Sequence, residues 1–384
     1  MKTNLHLITS TLSGTTESRT NRSVNVIFEN KIFDKVIIIG LKESLEDQKY
    51  LTINPITDCV RLHRDLDVEK SALISKLFKT VQWSIQAYKE AIQHKADTIN
   101  CHSLSLLPLC VLLKFKMHSR LIYDIHELET EVNRISFLRK ISSKIIERLL
   151  IGFCDLIIVV SEPIKTWYEQ TYSIKNVHVI RNFPAIDSFI TSKKSNLREF
   201  FDIDTSDTIY LYHGALIQDR GIELVIDVFK SLEGTTNHVV FIGFGSLTEY
   251  VKENASIVKN IHFRDSMKKD ELYDFIKSAD VGLNLISNTC LNHEYCLPNK
   301  LWDFLSLSIP VLVNDLLAMR MIVEEFNCGW CVKEDHNSLK SAILSLKKNE
   351  ILKKGEGANR SRSQWGWNLE KEKLINIYKL NTNG

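Results

Sequence analysis

Residues 296–315 read CLPNKLWDFLSLSIPVLVND. The stretch predicts a short helix that opens after a proline, followed by a buried strand over 309–313. Asn299 and Lys300 lie at the helix start, and Asp303 follows one turn later among apolar side chains. Helix N-termini attract anions, because their first amide N–H groups have no partner within the helix. Two interpretations fit: a well-capped structural helix, or a site where a ligand places phosphates at the helix start and hydroxyls on Asp303.

The composition is that of an ordinary soluble, globular chain: 384 residues, 44% hydrophobic and 25% charged. This length predicts two domains, since single cores stop growing near ~250–300 residues. The formal net charge of +2 gives no bias toward nucleic acid. The first residues lack the apolar core of a signal peptide, and the longest apolar run, 104–113, is shorter than the ~20 residues that span a bilayer. We therefore expect a cytoplasmic protein without a nucleic-acid partner.

Cysteine chemistry is expected to be absent from the function. The eight cysteines are scattered, several of them in apolar segments, which favours free thiols over a disulfide framework. Cys328 and Cys331 form a CxxC pair, but not at a strand-to-helix turn, so packing is favoured over redox chemistry. Cys290, His293 and Cys296 are of metal-ligating types but lack a fourth ligand nearby. We therefore expect no metal site.

Short apolar runs alternate with helical patterns along the whole chain. The first series of runs covers 4–9, 35–41, 97–103, 120–126, 156–161 and 177–182. A second series, after the polar stretch 191–200, covers 208–214, 239–245, 261–265, 281–286 and 309–314. Apolar strands separated by helices are typical of parallel sheets that are covered on both faces.

The pattern therefore predicts an α/β fold with two doubly wound, Rossmann-like domains, over residues 1–187 and 205–362. An amphipathic helix within 367–384 is expected to return to the first domain. Ligands of such sheets bind beyond the carboxyl ends of the strands. Two facing domains would place a ligand in the cleft between them, so candidate residues should follow strands directly.

In the second domain, YHGALIQDRGIELV (212–225) reads as strand, glycine turn and helix. Gly214 lets the backbone come close to a ligand. Arg220 at the helix start could grip a phosphate, and the alternative is a surface arginine, which the helix dipole does not favour there. Gly243 ends the next strand. Asp265 ends the strand after it, at a position where the backbone could meet a base edge.

In the first domain, YDIHELETE (123–131) places Asp124, His126 and Glu127 at one strand exit. So many titratable groups together indicate a site, and His126 could donate to a substrate hydroxyl, although histidine is also a common core residue. His102 ends the preceding strand. Three further candidates lie after the first strand, namely Gly14, Arg19 and Arg22.

Residues 134–150, RISFLRKISSKIIERLL, predict a helix with Leu138, Ile141, Ile145 and Leu149 on one side. This segment carries five basic residues and one acid. It could lie on an anionic membrane surface, or it could simply be a solvated helix whose apolar side covers a core.

Taken in order, these segments resemble the GT-B glycosyltransferases of the retaining family 4 (group 1) type. YDIHE is similar to the family's strand-end Asp-x-His-Asp/Glu, and 159–184 is similar to the serine, helix, strand and Asn-x-Pro run that leads into the linker. HGALIQDRGIE resembles the Gly-Arg-Leu…Lys-Gly segment. ADVGLNLI and LPNKLWDFLSLSIPVLV resemble the donor-site segment. The likeness covers nearly the whole chain.

The resemblance implies a nucleotide-diphosphate sugar as donor, with no cofactor and no metal. Its diphosphate would lie at the start of helix 299–308, neutralised by Arg220 and Lys300, and Asp303 would hold the ribose hydroxyls. His126 would touch the transferred sugar. The acceptor would be a glycan or a lipid-linked sugar of surface polysaccharide biosynthesis, the sugar would keep its anomeric configuration, and the enzyme would work in the cytoplasm, peripherally at the inner face of the membrane.

Two positions depart from the family pattern. Where the family has Glu-x7-Glu, this chain has Tyr295 and Asp303, with Glu294 beside the tyrosine. The family's first phosphate-binding arginine falls at Ala215, which leaves Arg220 as the matched cation. These departures favour a non-catalytic GT-B partner protein as an alternative. A nucleotide-sugar epimerase is a second alternative. The candidate substitutes for the missing arginine are Arg19, Arg22 and Lys300.

Overall fold

The computed structural model of the protein describes residues 1–11, 19–44, 46–63, 73–133, 135–185 and 196–379. The chain divides into two compact units, Met1–Arg181 with Lys371–Gly384, and Asn182–Glu370. Each unit is built around a parallel sheet with helices packed against it, which confirms the predicted pair of Rossmann-like α/β domains.

The strands of the first unit are β1 (Thr3–Thr11), β2 (Lys35–Leu41), β3 (Tyr50–Asn54), β4 (Thr57–Leu62), β5 (Thr98–Cys101), β6 (Arg120–Asp124), β7 (Leu156–Val159) and β8 (Val177–Val179). Within the described ranges they form one eight-stranded sheet in the order β3-β4-β2-β1-β5-β6-β7-β8. Neighbours are parallel except β3 and β4, which pair antiparallel. The sequence patterns missed β3 and β4, because β3 is an edge strand with mostly exposed side chains and β4 carries polar ones.

The helices of the first unit are α1 (Arg19–Glu29), α2 (Leu73–Ala91), α3 (Leu107–Met117), α4 (Phe137–Leu150) and α5 (Glu162–Tyr172). Local sequence explains several of their ends. Pro108 lies in the first turn of α3, where its missing N–H costs nothing, and His118 closes that helix in the left-handed conformation. The Ser161 side chain accepts a hydrogen bond from the backbone N–H of Ile164 and so caps α5.

The strands of the second unit are β9 (Thr208–Ala215), β10 (Asn237–Phe244), β11 (Ile261–Asp265), β12 (Val281–Asn284), β13 (Val311–Asn314) and β14 (Gly329–Val332). They form a parallel sheet in the order β11-β10-β9-β12-β13-β14. The order reverses between β9 and β12, and ligands of open α/β sheets bind at such a switch point.

The helices that follow α5 are α6 (Leu197–Phe201), α7 (Ile222–Lys230), α8 (Thr248–Ile257), α9 (Lys269–Lys277), α10 (Leu291–Tyr295), α11 (Asn299–Ser306), α12 (Leu317–Phe326), α13 (His336–Ser345), α14 (Lys348–Trp365) and α15 (Trp367–Lys379). Alternate residues of β9 belong to two different hydrophobic clusters. Ile209 and Leu211 pack into one cluster, while Tyr210 and Tyr212 pack into the other. Successive side chains of a strand point to opposite faces, so the second sheet is covered on both faces.

The C-terminal helix α15 returns to the first unit from Lys371 onward. The Tyr378 hydroxyl donates to the Asn100 side-chain oxygen at 3.1 Å, and the Arg120 guanidinium donates to the carbonyl of Ile377 at 3.0 Å. Both partners lie in the first sheet or next to it, as the sequence predicted for this helix.

Across the described ranges, no helix is both long enough and apolar enough to cross a membrane. The cysteines are free thiols. Burial raises the pKa of Cys328 to about 12 and that of Cys331 to about 11. Thiolates are therefore scarce at neutral pH, which agrees with a packing role for the CxxC pair.

Candidate functional site

A buried cation lies at the start of α11. The Lys300 ammonium sits 3.6 Å from the centroid of the Tyr212 ring, and its Nζ is buried without a hydrogen-bond partner among the described residues. Burial lowers the pKa of Lys300 well below its usual value, Arg220 acts in the same direction, and Asp303 opposes both. A charge desolvated in this way is costly, so an anionic ligand at the helix start would stabilise it.

Asp303, one turn into α11, accepts a hydrogen bond from a tyrosine and lies near a buried histidine. The Tyr273 hydroxyl donates to its Oδ1 at 3.1 Å, and His213 Nε2 lies 3.8 Å from its Oδ2. Burial, with a smaller effect of Lys300, lowers the pKa of His213 to about 3. His213 is therefore neutral at pH 7, and the Tyr273 hydroxyl is the group that holds the Asp303 carboxylate by a hydrogen bond.

The glycines that end β9 and β10 are required by the backbone itself. Gly214 has a φ of 107°, and a Cβ on Gly243 would lie 1.9 Å from the Gly214 carbonyl oxygen. The positive φ of Gly214 is a conformation that side-chain-bearing residues rarely adopt, and a side chain at Gly243 would collide with the neighbouring backbone. Backbone conformation therefore explains the glycine at position 214, and the close approach of two strands explains the one at position 243, before any ligand is considered.

Arg220 immediately precedes α7, whose N-cap is Gly221 in the left-handed conformation with a φ of 70°. A Cβ on Gly221 would lie 2.6 Å from the Leu285 Cβ just after β12, so the turn packs tightly against the neighbouring strand end. Arg220 lowers the pKa of Lys300 electrostatically, so the two predicted cations lie in the same region. The structure thus assembles Gly214, Arg220, Lys300 and Asp303 around the ends of β9 and β12.

Other predicted residues of the second unit lie in different settings. Asn299 is exposed and its side-chain oxygen accepts a hydrogen bond from Asn182 at 3.2 Å. Asp265 ends the edge strand β11 with 76% of its side chain exposed, 3.7 Å from the Lys252 ammonium. This surface position is unlike the buried setting of Lys300.

Glu294 has a structural task. Its Oε1 accepts the backbone N–H of Leu317 at 2.9 Å, at the start of α12, and its Oε2 accepts from the Asn288 amide at 2.7 Å. A carboxylate at a helix N-terminus satisfies an unpaired donor and complements the helix dipole. Tyr295 follows on the same short helix and is half-buried.

A buried ion pair lies at the end of β6 in the first unit. Arg19 Nε donates to both oxygens of the Asp124 carboxylate, at 2.9 and 3.1 Å, and its Nη1 donates to the Ile180 carbonyl at 2.8 Å. Burial by itself would raise the pKa of Asp124, but Arg19, His102 and His126 lower it, and it ends well below its usual range. Asp124 is therefore ionised in the folded protein.

Three histidines continue this group. His102 Nδ1 lies 3.4 Å from Asp124 Oδ2 and 3.3 Å from His126 Nε2, and His102 Nε2 lies 2.9 Å from His6 Nδ1. Burial lowers the pKa of both His102 and His6, whereas 38% of the His126 side chain is exposed. Sequence reasoning missed His6, whose only signal was a single imidazole inside an apolar strand.

Glu127 is exposed and borders a cavity of about 500 Å³ beside α3 and α4. Glu129 also lines the cavity and is held by the Leu104 N–H at 2.7 Å and the Ser103 hydroxyl at 3.0 Å. The lining mixes these carboxylates with apolar side chains and Arg139. Among the remaining candidates, Arg22 lies half-buried on α1, and Gly14 lies outside the described residues.

Helix α4 exposes apolar side chains instead of burying them. The exposed set is Phe137, Leu138, Ile141, Ile145, Ile146 and Leu149 on α4, with Leu112 and Phe115 on α3 and Phe153 after α4. We call this set the apolar face. Lys140 and Lys144 pair with Glu131 at 2.6 and 2.5 Å, and Arg139 and Arg148 are exposed. The interpretation of this helix as a cover over a core is therefore wrong for its apolar side, which lies open.

Two family descriptions match the chain. Glycosyltransferase Family 4 matches residues 59–186, and Glycosyl transferases group 1 matches residues 193–364. The two segments follow each other without overlap and together span most of the chain.

A curated relative, the lipopolysaccharide 1,2-N-acetylglucosaminetransferase of Salmonella typhimurium, is 26% identical over 227 residues. The match covers 54% of this chain and 58% of that protein, so the chain spans little more than half the length of this relative.

Solved structures with low sequence identity share the fold over almost the full length. Sucrose-phosphate synthase from Thermosynechococcus elongatus has a TM-score of 0.77 at 14% identity, with 99% of each chain covered. Anabaena HepE in complex with UDP and glucose has a TM-score of 0.71 at 13% identity, covering 98% of this chain and 99% of that one. With the two family matches and this shared architecture, the chain belongs to the group 1 glycosyltransferases of the GT-B fold.

Proposed function

We propose that this protein transfers a sugar, with retention of anomeric configuration, from a nucleotide-diphosphate sugar to a glycan or lipid-linked acceptor. The observation that carries the proposal is Lys300, a buried ammonium without a hydrogen-bond partner among the described residues, at the start of α11 beside Asp303. Membership of the glycosyltransferase family supports it. A structural neighbour that holds UDP and glucose supports the class of donor.

The donor diphosphate lies at the start of α11 in this proposal. Lys300 and Arg220 supply two positive charges, and the first N–H groups of α11 supply hydrogen bonds. Leaving-group stabilisation then rests on the protein's own cations and the helix dipole, which act where negative charge develops. Arg220 and Lys300 together fill the role of the arginine that Ala215 replaces.

Asp303 accepts the ribose hydroxyls. The hydrogen bond from Tyr273 orients its carboxylate before the ligand arrives, which reduces the ordering cost of binding. This assignment explains why an acid lies one turn into the helix, which helix capping alone does not.

His126 contacts the transferred sugar. Its side chain is partly exposed, whereas the neighbouring Asp124 is buried in its ion pair with Arg19. Asp124 therefore acts as a positioning residue for the two imidazoles and does not itself react. Glu127, exposed on the same loop, is the remaining candidate for contact with substrate.

Of the two acceptor types, the lipid-linked one suits the apolar face, which in this proposal rests on the membrane that carries the acceptor. Exposed apolar side chains flanked by Arg139 and Arg148 suit an anionic bilayer surface. The 500 Å³ cavity opens beside this face and offers both apolar and hydrogen-bonding side chains to an amphiphilic acceptor. The activity named for the Salmonella relative supports a surface-polysaccharide acceptor.

The experiment that tests the donor class is a thermal-shift panel with UDP, GDP, ADP, CMP and their sugar conjugates. A ligand at about 100 times its dissociation constant adds about 2.7 kcal/mol to the folded state. We expect one nucleotide to raise the melting temperature and the Lys300→Met variant to lose that response. A well-folded protein that responds to none of them contradicts the proposal and favours a non-catalytic partner. Turnover of donor in the absence of acceptor would favour an epimerase.

A further inference from the structure

Three metal-ligating atoms converge in the first unit. His102 Nδ1, His126 Nε2 and Asp124 Oδ2 are separated by 3.3, 3.4 and 3.7 Å. Hydrogen bonds from N–H donors are mostly shorter, about 2.7–3.2 Å. Tetrahedral zinc has bonds of about 2.0–2.1 Å to nitrogen or oxygen, which places its ligand atoms roughly 3.3–3.4 Å apart. The separations therefore match the edges of a coordination shell better than a set of hydrogen bonds.

The surroundings of His102 favour coordination through Nδ1. Its other nitrogen, Nε2, lies 2.9 Å from His6 Nδ1. In the tautomer that carries the proton on Nε2, His102 donates a hydrogen bond to His6 Nδ1. The lone pair of His102 Nδ1 then points toward His126 and Asp124. Metal-bound histidines are generally held by such a hydrogen bond from the other ring nitrogen.

The charge of the group restricts which ions fit. Two imidazoles contribute no charge, and the Asp124 carboxylate is already shared with Arg19. Mg²⁺ and Ca²⁺ require shells made of oxygen ligands, whereas imidazole suits Zn²⁺, Cu²⁺, Ni²⁺ and Co²⁺. The nearby guanidinium also repels a cation, so moderate affinity is expected.

We propose that His102, Asp124 and His126 form a binding site for a transition-metal ion of the zinc type, with a fourth position open to water. Within the described part of the chain, these three side chains form the group of at least three His, Cys, Asp or Glu residues whose ligand atoms all lie within 4.8 Å of one another. Cys290, His293 and Cys296 do not form such a group. In the proposed transfer reaction the His126 side chain contacts the sugar; an ion bound to its Nε2 would displace that contact and so inhibit the reaction.

The binding test uses the full chain, freed of metal with a chelator, and the visible absorption of Co²⁺. We expect one Co²⁺ per chain, displaced by Zn²⁺ and unaffected by millimolar Mg²⁺ or Ca²⁺. His126→Ala and His102→Asn should each weaken the affinity at least about tenfold, since loss of even an outer partner of a metal ligand costs that much. His63→Ala, at an exposed histidine elsewhere in the unit, is the matched control and should bind like the wild type.

His126→Ala is the decisive variant, because its partly exposed side chain can be removed with little effect on folding. Equal Co²⁺ affinity in this variant and in the wild type, or no Co²⁺ binding at millimolar concentration, overturns the site. Inhibition rests on the proposed function and is read separately, as loss of sugar transfer with Zn²⁺ and recovery with a chelator. Transfer that continues at saturating Zn²⁺ overturns the inhibitory role. If the protein binds the metal but shows no transferase activity, the metal site is supported and the proposed function is contradicted.

Discussion

Arg19 Nε binds both carboxylate oxygens of Asp124, at 2.9 and 3.1 Å, across a sequence separation of 105 residues. The contact joins the first residue of α1 to the last residue of β6, and both side chains are almost completely buried. The pair holds the carboxylate against which His102 and His126 are arranged. The first-unit group therefore depends on an interaction that no local sequence pattern contains.

Asp124→Asn should strongly destabilise the protein. Removing one partner of a buried ion pair typically costs about 3–5 kcal/mol, because the other charge stays buried and uncompensated. We expect the melting temperature to fall by several degrees, measured by calorimetry. An Arg19→Met, Asp124→Leu double variant, which removes both charges, should recover most of the loss. A single variant as stable as the wild type would contradict the structural role of the pair.

Lys300→Met should change stability and ligand affinity in opposite directions. The variant removes a buried charge that lacks a hydrogen-bond partner among the described residues, so the ligand-free protein should melt at a higher temperature. Affinity for the nucleotide-diphosphate should fall at least about tenfold, as expected for loss of a charge-assisted contact. Lys268→Met, at an exposed lysine before α9, serves as the control. A lower melting temperature with unchanged affinity would exclude the proposed role.

Asp303→Asn should weaken nucleotide binding while leaving the fold intact. Hydrogen bonds to a charged group contribute about 1.5–3 kcal/mol, which corresponds to roughly 10–100-fold in affinity. Isothermal titration with the nucleotide found in the thermal-shift panel measures the change. Asp265→Asn, the exposed acid at the end of β11, should bind as the wild type does. If both variants bind equally well, Asp303 does not hold the ribose.

Stability should depend on the protonation of His213 on the acid side. Its pKa is about 3 in the folded protein and about 6.5 in an unfolded chain, so the unfolded state binds more protons between these values. The contribution of His213 is complete above pH 6.5 and is lost as the pH falls toward 3. His213→Asn should show a shallower fall of melting temperature over this range. Parallel curves for variant and wild type would show that His213 does not titrate with unfolding.

Binding to anionic vesicles should require the apolar face. Replacing Leu138 and Leu149 on α4 with serine should abolish co-sedimentation with vesicles that contain anionic lipid, with little change in melting temperature, because both side chains are already exposed. Leu344→Ser, at an exposed leucine of α13, is the matched control. If the double variant still binds the vesicles, the membrane contact lies on another surface of the protein.

Local sequence patterns determined the class of fold and the positions of most strands. Alternating apolar strands and helices are short-range signals, because burial on both faces of a parallel sheet imposes a continuous apolar run on each strand. The same signals placed Lys300 and Asp303 at a helix start and Asp124 and His126 at a strand exit. They did not reveal β3, an edge strand with mostly exposed side chains, or β4, which carries polar side chains.

Tertiary structure decided what those residues do. The pattern left Glu294 as a candidate for the donor site, but the fold uses its carboxylate at the start of α12, 23 residues further on. The sequence pattern did not indicate a role for His6. Its role becomes visible only in the fold, where the pairing of β1 with β5 places His102 beside it. The burial of Lys300 against Tyr212 likewise depends on the packing of α11 on β9. Sequence periodicity records which face of an element is buried, whereas contacts between elements far apart in the chain arise only when the sheet is assembled.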